Sequence, residues 1–225
     1  MSAATRKKTG PATLTLSSKN YGSWSLRGWL LCKMAGLDFV ERTLPADDAA
    51  VRAELLLLSP SFLVPRLEHD GARIWDTLAI AEYLAELNPQ AGLLPTERKA
   101  RAHCRSISGE MHSGFANLRA ALPMNVKARH AGYKVFAGAR PDIARINEIW
   151  TDCLETYGGP FLFGQPSMAD AMYAPVCSRF RTYDVSVNKH CDAYRDMILK
   201  WDPMVEWIEA AMIEPEEMDE LDVEF

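Results

Sequence analysis

Near the amino terminus, Thr13-Leu14-Thr15-Leu16 alternates polar and apolar side chains, the period-two rhythm of a short strand. The polar stretch 17–22 ends that rhythm. A helical one follows from Ser23 or Trp24 to Ala35: Leu26, Trp29, Leu30, Lys33 and Met34 recur at i, i+3, i+4, with Gly36 as the stop. Residues 39–44 read as a second strand and 46–58 as a helix closed by Ser59-Pro60. A third strand is predicted over 64–68. Its Pro65 lies at the start, where a residue that cannot donate to a ladder belongs. His69-Asp70-Gly71 signals a turn, and Arg73-Ile74-Trp75 a fourth strand in a hairpin with the third. Residues 77–87 are helical, with Leu78, Ala81, Leu84 and Ala85 on one face and Asn88-Pro89 ending it.

The order is β-α-β-α-β-β-α. The opening strand–helix–strand predicts a parallel pair and the later hairpin adds antiparallel strands. The Pro- and Gly-containing stretch 88–96 reads as a linker, and no strand pattern follows it. One long helical pattern covers 97–122, and further helices are expected over 141–157, 167–181, 190–200 and 203–212. An α/β half before an all-α half predicts two domains, at 12–88 and 97–213, with an acidic tail at 214–225. A length of 225 residues suits two modest domains.

Charge adds one feature. Seven of the last twelve residues are Asp or Glu, so the net −5 leaves about +2 on the rest of the chain. That balance exerts no pull toward nucleic acid or an anionic membrane, and the tail reads as a solvated terminus. The cysteines, Cys32, Cys104, Cys153, Cys177 and Cys191, are scattered, with no C-x-x-C pair, and read as apolar fillers in a reducing compartment. The basic start MSAATRKKTGPATL leads into no apolar run of signal-peptide length, and no stretch approaches a membrane span. A soluble, cytoplasmic protein is the expectation.

Four short motifs, in this order of elements, resemble the cytosolic glutathione transferase superfamily. They are Asn20-Tyr21-Gly22-Ser23-Trp24-Ser25-Leu26-Arg27, Phe62-Leu63-Val64-Pro65, Asp76-Thr77-Leu78-Ala79-Ile80 and Ser167-Met168-Ala169-Asp170. The resemblance spans residues 13–212. It implies a thioredoxin-like N-terminal domain, a helical-bundle C-terminal domain and a homodimer. Glutathione is then a consumed substrate, with no metal and no permanently bound cofactor. In the family a hydroxyl or thiol at the start of the first helix faces the glutathione sulfur. Ser23 is the expected residue, with Tyr21 and Ser25 in reserve; Gly22, at one candidate position, has no hydroxyl. The resemblance makes Pro65 cis, so that Val64 pairs strand-like with the cysteinyl part of the tripeptide. Thr77 would receive the γ-glutamyl carboxylate at a helix N-terminus and Asp76 its amino group. Ser167 and Asp170 resemble a capping box with a folding role.

The second substrate is expected between the domains, against the long helix. Met111, Phe115, Met124 and Asn125 are the lining candidates, with Glu110, His112 and Pro123 nearby. Lys19, Arg42 and Arg66 are open choices for the glycine carboxylate. The leading activity is conjugation of the glutathione thiol to a small electrophile. The alternatives are a non-catalytic glutathione- or hydrophobic-ligand-binding protein and a glutathione-dependent cis-trans isomerase resembling the maleylacetoacetate isomerases. Those carry Ser-Ser-Cys where this chain has Gly-Ser-Trp, which weighs against the isomerase. The missing cysteine weighs against thiol-disulfide exchange.

Overall fold

The computed structural model of the chain describes residues 11–44 and 64–215. The helix expected over 46–58 and the Phe62-Leu63 half of the second motif lie outside them. The four strands are β1 (Ala12–Leu16), β2 (Phe39–Thr43), β3 (Arg66–His69) and β4 (Ala72–Trp75), in the order β2-β1-β3-β4. β1 runs parallel to β2 in the register Leu14 to Glu41, and antiparallel to β3 with Leu14 opposite Leu67. β3 and β4 form the expected hairpin, turning through Asp70 and Gly71, both at positive φ (50° and 79°). That conformation is what a two-residue hairpin loop demands. The third strand begins at Arg66, so Val64 and Pro65 precede it rather than open it.

The described helices are α1 (Ser23–Met34), α2 (Thr77–Leu87), α3 (Arg98–Ser113), α4 (Ala116–Ala121), α5 (Arg140–Tyr157), α6 (Met168–Thr182), α7 (Lys189–Lys200) and α8 (Asp202–Met212). The single pattern read over 97–122 is two helices. Phe115 takes a left-handed conformation (φ 62°), and a Cβ on Gly114 would lie 2.7 Å from the Glu110 carbonyl oxygen. The apolar rhythm continues through this break because both segments face the same core.

α1 packs on the sheet, on α2 and across to the helical half, where α6 is its main neighbour. Every residue of α6 except Arg181 is buried, which makes it the central rod of that half. Its N-terminus is fixed by Asp170. That carboxylate accepts from the Ser167 amide (2.8 Å) and hydroxyl (2.9 Å), from the Leu162 amide (3.1 Å) and from the Tyr194 hydroxyl (3.0 Å). All five cysteines are buried and unbridged, as fillers should be, and burial pushes the Cys32 thiol up to about 12. Among the described residues, no helix is long and apolar enough to cross a membrane.

Candidate active site

The loop between β1 and α1 sets the surroundings of the three candidate hydroxyls. Ser25 is fully buried and turned back on the loop: it accepts from the Ser17 amide (2.9 Å), and its Oγ lies 3.0 Å from that of Ser17. Gly22 stands at the N-cap of α1. A Cβ there would come within 2.3 Å of the Ser18 carbonyl oxygen and 2.6 Å of the Ser17 hydroxyl. No side chain fits, so the glycine is a requirement of the loop and not a vacant catalytic position. Tyr21 is buried. Ser23, 6% exposed, is the first residue of α1 and stands outside the Ser17–Ser25 brace. No side chain caps this helix and no acidic residue sits in its first turn, so its positive end remains available to an anion.

The peptide bond between Val64 and Pro65 is cis, as the resemblance implies, and Val64 is buried. Pro65 rests against α1 at Gly28, where an added Cβ would meet the Pro65 ring at 2.5 and 2.7 Å. The segment that precedes β3 and the helix that carries Ser23 are therefore in direct contact.

Asp76 and Thr77 open α2. Asp76 is its N-cap: the carboxylate accepts from the amides of Leu78 (2.8 Å) and Ala79 (3.3 Å), while its carbonyl accepts from Ile80 (3.0 Å). The Thr77 amide lies outside this set. Asp76 has φ 75° and ψ 134°, a conformation that costs a non-glycine residue ~1–3 kcal/mol and marks functional positions. His112, on the last turn of α3, reaches both residues. Its Nε2 lies 3.0 Å from the Asp76 carboxylate and its Nδ1 3.5 Å from the Thr77 hydroxyl. Burial by itself raises the Asp76 pKa; the bond to His112, the imidazole's charge and the two amides outweigh it and hold the carboxyl below its ordinary value.

Trp24, next to Ser23, is the hub of a second group of residues. The guanidinium of Arg27 lies over its ring at 4.6 Å, that of Arg119 at 4.8 Å, and the His112 ring meets it edge-on at 5.1 Å. Arg179, on α6, completes a set of three buried arginines. Each makes backbone bonds: Arg27 to Met172, Arg119 to Gly114 and Met111, Arg179 to Leu122. Among the described residues, both terminal nitrogens of Arg27 and one each of Arg119 and Arg179 are buried without a partner. None of the three is in a salt bridge among the described residues. Burial first, then the charges of Arg119 and Arg179, lowers the Arg27 pKa well below its ordinary value. Burial takes Arg119 to about 10, against a rise from Asp142, and burial plus Arg119 takes Arg179 to about 9.

The residues expected to line the second-substrate site are buried. Met111, Phe115 and Met124 belong to the core. Asn125 is a buried staple: its carbonyl accepts from Thr182 and its side chain from the Ala128 amide. Glu110 is tied to Arg145 on the outer face. Of the three cations considered for the glycine carboxylate, Lys19 is paired with Glu41 (2.6 Å) and Arg66 lies 3.4 Å from Glu68. No signal in the sequence marked Arg27, Arg119 and Arg179 as a group. They come from three helices, and each alone reads as an ordinary surface arginine.

A thioredoxin-like sheet domain followed by a helical domain, with the tripeptide motifs on α1, before β3 and on α2, defines a glutathione-transferase fold. Two family descriptions match in tandem: Glutathione S-transferase, N-terminal domain, over 21–87, and Glutathione S-transferase, C-terminal domain, over 111–210. The chain belongs to the cytosolic glutathione transferase superfamily. It is 32% identical to the maleylacetoacetate isomerase of Rhizobium meliloti over 163 residues, 65% of this chain and 72% of that one. With the Rattus norvegicus maleylacetoacetate isomerase it shares 29% over 170 residues, 75% and 77% of the two chains. A probable maleylacetoacetate isomerase of Caenorhabditis elegans is 35% identical over 96 residues, and the match spans 44% of its length. Among solved structures, a glutathione transferase homologue from Burkholderia with bound glutathione superposes at TM-score 0.66 and 22% identity, over 90% of this chain and 98% of that one. A maleylacetoacetate isomerase from Anaeromyxobacter dehalogenans, with bound dicarboxyethyl glutathione and citrate, superposes at 0.64 and 22%, over 92% and 99%.

Proposed function

We propose that this protein is a glutathione-dependent cis-trans isomerase acting on an unsaturated carboxylic acid of the maleylacetoacetate kind. The observation that carries the reading is the set of three buried arginines, two of them stacked on Trp24, the neighbour of Ser23. A guanidinium buried without a counter-charge is costly, and three together call for an anion. An acidic substrate brings that charge, and a planar guanidinium matches a carboxylate in two parallel bonds. The relatives' names point the same way, and the Anaeromyxobacter neighbour holds two carboxylate-rich molecules.

The chemistry needs one thiolate. Attacking the alkene carbon β to the ketone, it forms an S–C bond while the π pair moves onto the carbonyl oxygen. The former double bond, now single, rotates. The enolate then re-forms the alkene in the trans geometry and expels the thiolate, so glutathione returns unchanged. Conjugation shares the first step and differs only in that the enolate is protonated and the thioether persists. The thiolate-stabilising residues thus serve both reactions, and the second-substrate side separates them. In this reading Ser23 and the positive end of α1 hold the sulfur as thiolate. Asp76 and Thr77 hold the γ-glutamyl end, with His112 tying both to the arginine-bearing wall.

The test is to give the purified protein glutathione and maleylacetoacetate and follow the alkene geometry by proton NMR. Trans product with glutathione undiminished is expected. Stoichiometric loss of glutathione to a thioether instead makes the protein a conjugating transferase. Retention on a glutathione column without either product makes it a binding protein.

A further inference from the structure

The acidic terminus begins with a half-buried residue that is docked on the fold. Glu214, two residues beyond α8, lays its carboxylate across the loop that leads to Ser23. Oε2 accepts from the Ser18 hydroxyl (2.7 Å) and the Asn20 amide (2.9 Å), and Oε1 from the Lys19 amide (2.8 Å). Its own carbonyl accepts from the Lys127 ammonium. Four donors from 196 to 87 residues away in sequence thus converge on one residue near the end of the chain.

The contact passes directly to the site. The Ser18 hydroxyl, while donating to Glu214, accepts from the Tyr21 amide (3.2 Å), and the Ser18 carbonyl accepts from the Gly22 amide (2.9 Å). The next residue is Ser23. The same loop is held from the helical half at three more points: Trp207 Nε1 to the Lys19 carbonyl (2.9 Å), and the Val126 and Lys127 amides to Asn20 (3.3 and 3.0 Å). Those three bonds involve uncharged groups. Glu214 supplies the charge-assisted ones, the stronger class.

We infer that Glu214 is a positioning residue for the sulfur side of the site: its carboxylate fixes Ser18, Lys19 and Asn20 so that Ser23 and the start of α1 meet the thiol in one geometry. The inference rests on the reading of Ser23 given above. It predicts a division of labour, because the γ-glutamyl end of glutathione is held at Asp76 and Thr77, on another element. Loss of Glu214 should affect turnover more than binding.

The experiment compares wild type with Glu214→Gln, which keeps the size and removes the charge, and with a chain ending at Pro215, which keeps Glu214 and removes the rest of the tail. Amide hydrogen exchange at Lys19 and Asn20 should accelerate roughly tenfold or more in Glu214→Gln, the effect of losing charge-assisted bonds. In the same variant kcat should fall about tenfold with the glutathione KM within about twofold, the signature of a loss felt in the transition state. The shortened chain should match wild type in both. Unchanged exchange in Glu214→Gln overturns the inference, and so does faster exchange with unchanged kcat. If wild type itself shows no glutathione-dependent turnover, the functional reading fails separately. Exchange at the Ser23 amide in Glu214→Gln then decides the positioning role: acceleration supports it and parity with wild type overturns it.

Discussion

Ser23 is singled out by what its neighbours are prevented from doing. Gly22 has no room for a side chain and Ser25 is committed to Ser17, so of the hydroxyls at the helix start the one left for the proposed role is that of Ser23. Lowering a thiol pKa by ~2 units takes ~2.7 kcal/mol. One charge-assisted hydrogen bond at ~1.5–3 kcal/mol and the helix dipole at ~0.3–1 supply it. Ser23→Ala is expected to cut kcat by about 10–100-fold with glutathione affinity retained, while Ser25→Ala lowers the melting midpoint instead. Steady-state kinetics beside a thermal melt distinguish the two. The three hydroxyls were legible in the sequence as a set, but their directions were not, because the choice depends on a backbone carbonyl packed against Gly22. His112 was equally hidden. It is a lone histidine on a helix, and its meaning comes from Asp76 and Thr77, which are 36 and 35 residues away.

At the level of elements, periodicity and the breakers between elements located almost every described helix and strand to within two residues. It failed where two helices share a face, at Gly114 and Phe115, because a kink leaves the hydrophobic rhythm unbroken. The motif opening α6 was readable from spacing alone, and its burial adds a consequence for pH. Burial raises the Asp170 carboxyl from 3.8 to about 6, against four hydrogen bonds that lower it. A raised carboxyl binds its proton more tightly in the folded state, so its contribution to stability is full below the unfolded value and is lost as pH rises through about 6. Wild type should lose ~2–3 kcal/mol relative to Asp170→Asn between about pH 3.5 and 7. Urea melts of both proteins across that range measure it. Parallel stability curves would remove the assignment. Ser167→Ala, which takes away one of the four donors, should cost ~0.5–2 kcal/mol at any pH in the range.

Across the whole molecule, the two halves meet along α1 and α6, and the costly groups gather at that seam. Arg27 comes from the sheet half, Arg119 and Arg179 from the helical half, and Trp24 lies between the first two. Buried like charges oppose folding, and in the proposed reading they trade stability for recognition of an acidic substrate. Arg179→Met should leave the melting midpoint at or above that of wild type, with a gain of ~2–4 °C for each kcal/mol of relieved burial. It should also raise the KM for an acidic substrate at least tenfold without touching that for glutathione. A midpoint that drops sharply would mean the guanidinium is a structural strut. The seam also contains the contact with the least slack. Where Gly28 faces Pro65, the helix backbone meets the proline ring with no side chain between them, and one extra methyl would be a wedge. α1 and the segment that precedes β3 therefore cannot come any closer than they already are. They are two jaws at their stop, with the gap between them set by the smallest residue in the alphabet.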